Sequence, residues 1–564
     1  MCCIFALINS NFYQQMDMKM IKDVFKKGKN RGPEFSKLVS SSNQQLILGF
    51  HRLAINGLNE ESNQPLVFNG IELICNGEIY NYKNLYKSMN ITPNTGSDCE
   101  VIIHLYLKYG IEQTLLMLDG VFAFVLYDRN EQLIFAARDP YGVRPLYSLK
   151  IDNGFNSVYG FASELKMMAP FYNLNKSRSH IKSHIQQFEP GTYSVYKFSD
   201  EEWVHSIINK TYFIPTFPFA RLTHDPTDLR LEILSNISNY LRAAVIKRCD
   251  TTERPVACLL SGGLDSSLIA ALVADYFGKK GKQIETYSIG LVNSEDIKYA
   301  KIVADYIGSN HTEIIVTEKE MFDAIPEVIK AIESYDTTTV RASIGNYLIG
   351  KYIAANSEAK VIFNGDGSDE VFGGYLYMNK CPDDIEFDKE TRRLLKDIHL
   401  FDVLRSDKSI SSNGLEPRTP FLDRTFVNYI LSIPPYFRNH NNLHECEKYL
   451  LRAAFNNTVW SEYSVWTKLL PDGIIWRKKE AFSDGVSSRG RSLFTILQEF
   501  IANQYNETNP VADKYEPSIE LEKKYYKEIF DKEFPNCEHI IPYFWMPKYT
   551  NATDPSARTL CFYA

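Results

Sequence analysis

Pro255-Val-Ala-Cys-Leu-Leu-Ser-Gly-Gly-Leu-Asp-Ser-Ser267 decides how the second half of this chain folds. An apolar run, Pro255–Leu259, leads into two glycines, and a helical run, Leu268–Phe277, follows. Gly262 and Gly263 therefore stand where a buried strand turns into a helix. Glycine reaches backbone angles closed to other residues and lets a ligand approach the main chain. The next helix points unpaired N–H groups and partial positive charge at that spot. Such a turn binds phosphate or pyrophosphate. Ser261, Ser266 and Ser267 add hydroxyl donors. Asp265 would repel a phosphate unless a metal stood between them, so it argues for Mg²⁺. A glycine turn with a plain helix cap is the bland alternative, and the full string after a strand favours the nucleotide.

The spacing is not Gly-x4-Gly-Lys-Ser/Thr, so this is not a Walker A loop. It resembles the pyrophosphate loop of enzymes that split ATP into AMP and pyrophosphate to adenylate an oxygen. Around it the pattern alternates. Strands are expected at Val256–Leu260, Thr286–Leu291, His311–Val316 and Lys360–Asn364, with helices at Leu264–Phe277 and Asp296–Ile307. That order argues for a doubly wound parallel sheet, whose ligands sit beyond the carboxyl ends of the strands. The fourth strand runs into Asn364-Gly-Asp-Gly-Ser-Asp-Glu-Val-Phe-Gly-Gly374. Its acids Asp366, Asp369 and Glu370 are costly to crowd unless solvated or sharing a cation. We expect this loop to form the far wall of the ATP site, with Asp265 and Asp369 on the metal. Arg341 and Lys479 are candidates for holding phosphate charge.

The 564 residues exceed one core. A 44% hydrophobic and 23% charged composition reads as soluble and globular. The net charge of −7 gives no case for nucleic acid or membrane partners. The ten cysteines form no CxxC pair or zinc set, and no basic leader precedes Cys2; a reducing, cytoplasmic location is expected. Short apolar runs at Gln45–Phe50, Ile71–Cys75, Phe122–Tyr127 and Leu133–Ala137, with helical runs at Gln14–Lys27 and Cys99–Tyr109, make the first half an α+β sandwich. Thr211–Thr227 holds three prolines and reads as a linker; an amphipathic helix, Leu229–Cys249, follows it. Lys380–Lys532 reads as helical.

Cys2 becomes the N-terminal residue once Met1 is removed. Its α-amine, with a pKa of about 7.7–8.0, then serves as base for its own thiol. A small buried cysteine in a first strand is the alternative on position alone. Companion residues shift the balance. Arg52 offers a guanidinium for a carboxylate. Asn76 and the main chain beside it offer an oxyanion hole, and Glu78 and Asp98 offer acids for an ammonium. Nucleophile, oxyanion hole and amino-acid clamp together suit glutamine.

Taken with Arg31-Gly-Pro33, Asp119-Gly-Val-Phe-Ala-Phe124, Arg138–Tyr147, Tyr335–Ser343, Pro417–Asp423 and Phe482–Val486, these strings resemble the glutamine-hydrolysing asparagine synthetases along nearly the whole chain. The resemblance implies an N-terminal-nucleophile hydrolase sandwich at residues 2–208 and a linker at 209–228. It implies an ATP-pyrophosphatase domain at 229–540, α/β with a doubly wound parallel sheet plus helices, and a tail at 541–564. It implies Cys2, Asn76, Gly77 and Asp366 as catalytic residues, Asp366 in forming a β-aspartyl adenylate. Arg52, Leu53, Ala54, Ile55, Asn56, Asn76, Gly77, Glu78 and Asp98 would bind glutamine. Leu260, Ser261, Gly262, Gly263, Asp265, Ser266, Ile289, Asn364, Gly365 and Lys479 would bind ATP. Substrates are then glutamine, aspartate and ATP, with Mg²⁺ and a homodimer as family expectations. The chain departs from the pattern at Cys3, Asn30, Glu34, Asn56-Gly57, Asn364 and Asp366; Asp366 stands where glutamate is usual, one methylene shorter. A related amidotransferase acting on another carboxylate, or a nucleotide-binding relic, are the rival readings.

Overall fold

The computed structural model describes residues 1–12, 16–41, 45–174, 181–218, 226–443, 445–456, 468–488, 490–508 and 514–560. Gln14 and Gln15 of the expected first helix, residues 219–225 of the expected linker and 561–564 of the tail lie outside these.

Among the described residues the first half holds twelve strands: β1 (Cys3–Ile8), β2 (Phe35–Ser40), β3 (Leu46–Arg52), β4 (Leu66–Phe68), β5 (Ile71–Ile79) and β6 (Gly120–Asp128), then β7 (Leu133–Arg138), β8 (Tyr147–Asp152), β9 (Ser157–Ala162), β10 (Lys182–Gln187), β11 (Thr192–Ser199) and β12 (Glu202–Thr211). They form two antiparallel sheets, ordered β10-β8-β9-β1-β3-β2 and β12-β11-β7-β6-β5-β4. The alternation of side chains along each strand builds the layers. Ile4, Ala6 and Ile8 of β1 meet Ile74, Ala123 and Val125 between the sheets. Cys3, Phe5 and Leu7 point the other way, onto Ile21, Val24 and Phe25 of the helix Met18–Phe25. The second sheet's outer face carries the helices Tyr82–Met89 and Val101–Met117 through Leu85, Ile102 and Leu105. The result is helix, sheet, sheet, helix, as the alternating runs implied.

The second half opens with the helix Pro226–Asp250. Its sheet contains β13 (Val256–Leu259), β14 (Glu285–Gly290), β15 (Asn310–Ile315), β16 (Val361–Phe363) and β17 (Glu416–Arg418). All neighbours are parallel, in the order β15-β14-β13-β16-β17. The chain builds outward from β13 in one direction, then returns to lay β16 and β17 on its other side. β13 and β16 thus flank the switch point where such sheets bind ligands, and each ends in one of the two glycine loops. The expected helical region, 380–532, is interrupted by β17. Three residues at a sheet edge are too short to show a period, so nothing in the sequence betrayed it. No helix among the described residues is long and apolar enough to cross a membrane.

Candidate active sites

Strand register creates the first site. Cys3 pairs with His51 across β1 and β3, which sets Cys2 beside the Arg52-Leu53 corner. The Cys2 Sγ lies 3.5 Å from the Leu53 carbonyl, and Arg31 Nε donates to the Cys2 carbonyl at 3.1 Å. With Met1 attached, its ammonium is buried and donates to the Leu415 carbonyl at 3.3 Å. Burial pulls that ammonium's pKa down to about 6 and pushes the Cys2 thiol up to about 11. Asn76 stands on β5 with its amide under-satisfied. Its Nδ2 reaches only Ser163 Oγ at 3.5 Å, and its buried Oδ1 has no partner. A group left this way costs stability unless a ligand completes it.

Glu78, two residues on, is buried and accepts from Asn56 Nδ2 at 2.7 Å. Burial, then the nearby Asp98 and Glu416 charges, push its carboxyl well above the usual range. Asp98 accepts from the Ile79 amide at 2.7 Å, and burial raises it to about 6. Arg418 lies 3.2 Å from Glu78 and offsets part of this crowding; a second cation at Asp98 would relieve the rest. Arg52 donates to the Asn56, Gly57 and Asn59 carbonyls and to Asn63 Oδ1, so its guanidinium braces the 56–63 loop beside the site. Glu34 bonds the Ala54 amide at 2.7 Å and pairs with Arg254 at 3.0 Å, so this departure holds the corner in place. Cys3 packs its sulfur 3.4 Å from Met167 Sδ.

The second site is a cleft at the switch point. All the residues expected to bind ATP border it except Gly262. Gly262 has φ +71°, and a Cβ there would meet Ala300 N at 2.5 Å; it shapes the turn by packing on the helix Glu295–Ile307. The two loops press together. A Cβ on Gly365 would lie 2.7 Å from the Ser266 amide, and Ser368 Oγ donates to Asp265 Oδ1 at 2.8 Å. The three acids of the second loop diverge to separate cations or proton partners. Asp369 is bridged by Lys448 and Lys479, both at 2.6 Å. Burial would raise its carboxyl, but the two ammonium groups overcome this and hold it well below the usual range. Lys448 also pairs with Asp265 at 2.5 Å. Asp366 lies 3.3 Å from Arg405, which also grips Asp402. Glu370 turns away, sharing the Tyr375 hydroxyl with Asp402, and burial beside that carboxylate raises it.

Sequence reasoning missed Lys448, Asp402, Arg405, Tyr375 and Trp545, all of which border the cleft. No local pattern singles out Lys448 in Glu447-Lys-Tyr-Leu-Leu-Arg452. Arg341 corrects our expectation. It is buried and bonded bidentately to Glu522 at 2.8 and 2.6 Å and to Asp554 at 2.7 and 2.8 Å, so its charge is spent on carboxylates and not on phosphate.

A seam of buried charge joins the sites. Arg31 reaches Glu164 at 2.9 Å and Asp407 at 2.7 Å, and Arg144 approaches Asp407 at 3.3 Å. Arg418 links Glu416 at 2.9 Å to Glu78 at 3.2 Å. Lys408 pairs with Glu164 and Glu333. One helix, Asp402–Ser411, carries Asp402 and Arg405 into the cleft and Asp407 and Lys408 into the seam.

The fold and sites define a nucleophile-hydrolase sandwich coupled through a charged seam to a nucleotide-binding parallel sheet. The glutamine amidotransferase domain family matches residues 1–204, and the asparagine synthase family matches 236–386 and 379–550. The asparagine synthetase [glutamine-hydrolyzing] of Gallus gallus is 41% identical across 100% of this chain and 99% of its own length. Those of Homo sapiens and Cricetulus griseus are 38% and 39% identical with the same coverage. The chain belongs to the glutamine-hydrolysing asparagine synthetase family.

Proposed function

We propose that this enzyme makes L-asparagine from L-aspartate, with ammonia released from L-glutamine and ATP split to AMP and pyrophosphate. The observation that carries the reading is the cleft itself. The glycine loop, the Asp265–Lys448–Asp369–Lys479 array and the Asp366–Arg405 pair open into one space.

In the first site, loss of Met1 removes a buried ammonium and leaves the Cys2 α-amine as base. The Cys2 sulfur attacks the glutamine δ-carbon, and the oxyanion takes hydrogen bonds from Asn76 Nδ2 and the Gly77 amide. The C–N bond breaks, the amine's proton goes to the leaving group, and ammonia departs. Water then cleaves the thioester to glutamate. Glu78 and Asp98 hold the substrate ammonium. Arg52 and the main chain of Leu53 to Asn56 form the side that takes its carboxylate.

In the second site, the Ser261–Ser266 loop and Lys479 hold the phosphates. Asp265 and Asp369 are the residues that would hold Mg²⁺, an ion that binds through one or two carboxylates plus phosphate oxygens, and it would share them with Lys448 and Lys479. When bound it neutralises phosphate charge. Arg405 suits the aspartate α-carboxylate. The β-carboxylate oxygen of aspartate attacks the α-phosphorus, and pyrophosphate leaves. Ammonia then displaces AMP from the acyl carbon and loses a proton. Both ammonia and the adenylate need shelter from water, and the seam runs between the sites.

The purified chain with glutamine, aspartate, ATP and Mg²⁺ should release AMP and asparagine one for one. Ammonium should replace glutamine. Absence of AMP and asparagine from the full mixture, or AMP formation independent of aspartate, overturns the reading.

A further inference from the structure

The loop carrying Lys479 is held from two sides. On the cleft side, Arg477 reaches Asp296 Oδ1 at 3.1 Å and the Ser261 carbonyl at 3.4 Å. The Gly485 carbonyl accepts from Ser294 Oγ at 2.8 Å, and the Val486 carbonyl accepts from the Leu291 amide at 2.9 Å. These bonds join the loop to the end of β14. On the far side lies the C-terminal stretch. Its Asp554, Ser556 and Arg558 side chains bond this loop and the helix Thr337–Asn356 behind the cleft. Arg558 grips Glu480 through Nε at 2.9 Å and Nη2 at 2.6 Å. Its Nη1 donates to the Ser488 carbonyl at 2.8 Å and to Ser487 Oγ at 3.2 Å. Ser556 Oγ donates to Asp484 Oδ1 at 2.7 Å. Asp554 locks onto Arg341, and the Trp545 amide donates to Asp336 Oδ2 at 2.8 Å, at the start of that same helix.

We infer that residues 545–560 form a strap that sets the Lys479 loop against the nucleotide loop, with Arg558 as its principal positioning residue. The inference rests on reading the Lys479 loop as a wall of the ATP site. Arg558 touches neither Lys479 nor the glycine loop; it acts through Glu480, the residue after Lys479. Its Nε and Nη2 converge on one Glu480 oxygen, Oε1, in a nearly dry pair with side chains 6% and 8% exposed. Two charge-assisted bonds to one buried oxygen hold that carboxylate more firmly than one. A lysine there would keep the charge but lose the second bond. The strap touches the first half of the chain at none of these points, so glutamine hydrolysis serves as an internal measure of folding.

The test measures ATP KM and kcat for asparagine formation with ammonium, and glutamate release separately, in the parent, Lys479→Ala, Arg558→Ala, Arg558→Lys and Glu480→Gln. We expect Arg558→Ala to raise ATP KM about tenfold or more, with glutamate release within twofold of the parent and Arg558→Lys intermediate. Glu480→Gln should follow Arg558→Ala. If Lys479→Ala leaves ATP KM unchanged, the reading of the loop fails. If Lys479→Ala raises it while Arg558→Ala or Glu480→Gln stays within twofold of the parent, the strap is overturned. Should Arg558→Ala fail to fold, Glu480→Gln alone decides.

Discussion

Replacing Lys448 with methionine removes the ammonium between Asp265 and Asp369 and keeps the bulk of the stem. The Lys448 side chain is 1% exposed, while Asp265 and Asp369 are 17% and 18% exposed. Breaking a fully buried ion pair costs about 3–5 kcal/mol. Both carboxylates retain some solvent and Lys479 still serves Asp369, so the lower end, about 3 kcal/mol, applies here. The same uncompensated carboxylate charge would face the phosphates in the transition state, where about 3 kcal/mol at about 1.4 kcal/mol per tenfold is roughly a hundredfold in kcat/KM for ATP. The array contains no residue of the first site, so glutamine hydrolysis should stay within twofold. The assay is pyrophosphate release with aspartate and ammonium, run beside glutamate release from glutamine alone. The sign of the pH effect also follows. The carboxyl of Asp369 is held below its ordinary value of 3.8. Its stabilising charge is therefore complete above that value and lost only as pH falls through the lower folded value. Without Lys448 the loss should begin at higher pH. A kcat/KM for ATP within threefold of the parent would refute the reasoning. Parallel collapse of glutamate release would show that the array holds the whole chain and not the cleft.

Cys2→Ala should abolish glutamate release and leave ammonium-dependent asparagine synthesis intact; unchanged glutamine hydrolysis would remove Cys2 from the mechanism. Gly365→Ala places a Cβ 2.7 Å from the Ser266 amide and the Asp265 carbonyl carbon, both backbone that cannot yield cheaply. Aspartate-dependent pyrophosphate release should fall at least a hundredfold, while glutamate release persists. Asp98, raised to about 6, must be ionised to hold a substrate ammonium, so glutamine KM should climb as pH falls through that value and level off above it. A flat KM between pH 5 and pH 7, on the order of one unit either side, would exclude that role.

The doubly wound sheet and the two glycine loops were legible in sequence because each is written locally, whereas strand register had to bring the parts of the first site together. A strand ending in Gly-Gly before a helix constrains neighbouring dihedrals, and short apolar runs between turn residues mark strands buried on both faces. β17 escaped because three edge residues carry no period. The sequence also marked Arg341 and Lys479 as equal candidates for phosphate, since a cation in a motif looks the same whether or not a carboxylate is waiting for it. Tertiary structure separated them by place: Lys479, though paired with Asp369, borders the cleft, while Arg341 is buried outside it against Glu522 and Asp554, 181 and 213 residues away.

The composition of the second site followed the same division. Asp265 and Asp369 could be named as a pair of acids beside a phosphate loop, but not their counter-charge. Lys448 stands 183 residues from Asp265, on a segment with no glycine, no strand end and no motif of its own. Sequence by itself determined which backbone turns face the ligand, because hydrogen-bond periodicity and glycine geometry act over a few residues. Only the fold decided which charges meet there and which are buried against each other. Electrostatic energy depends on distance in space and on exclusion of water, and neither is recorded in spacing along the chain.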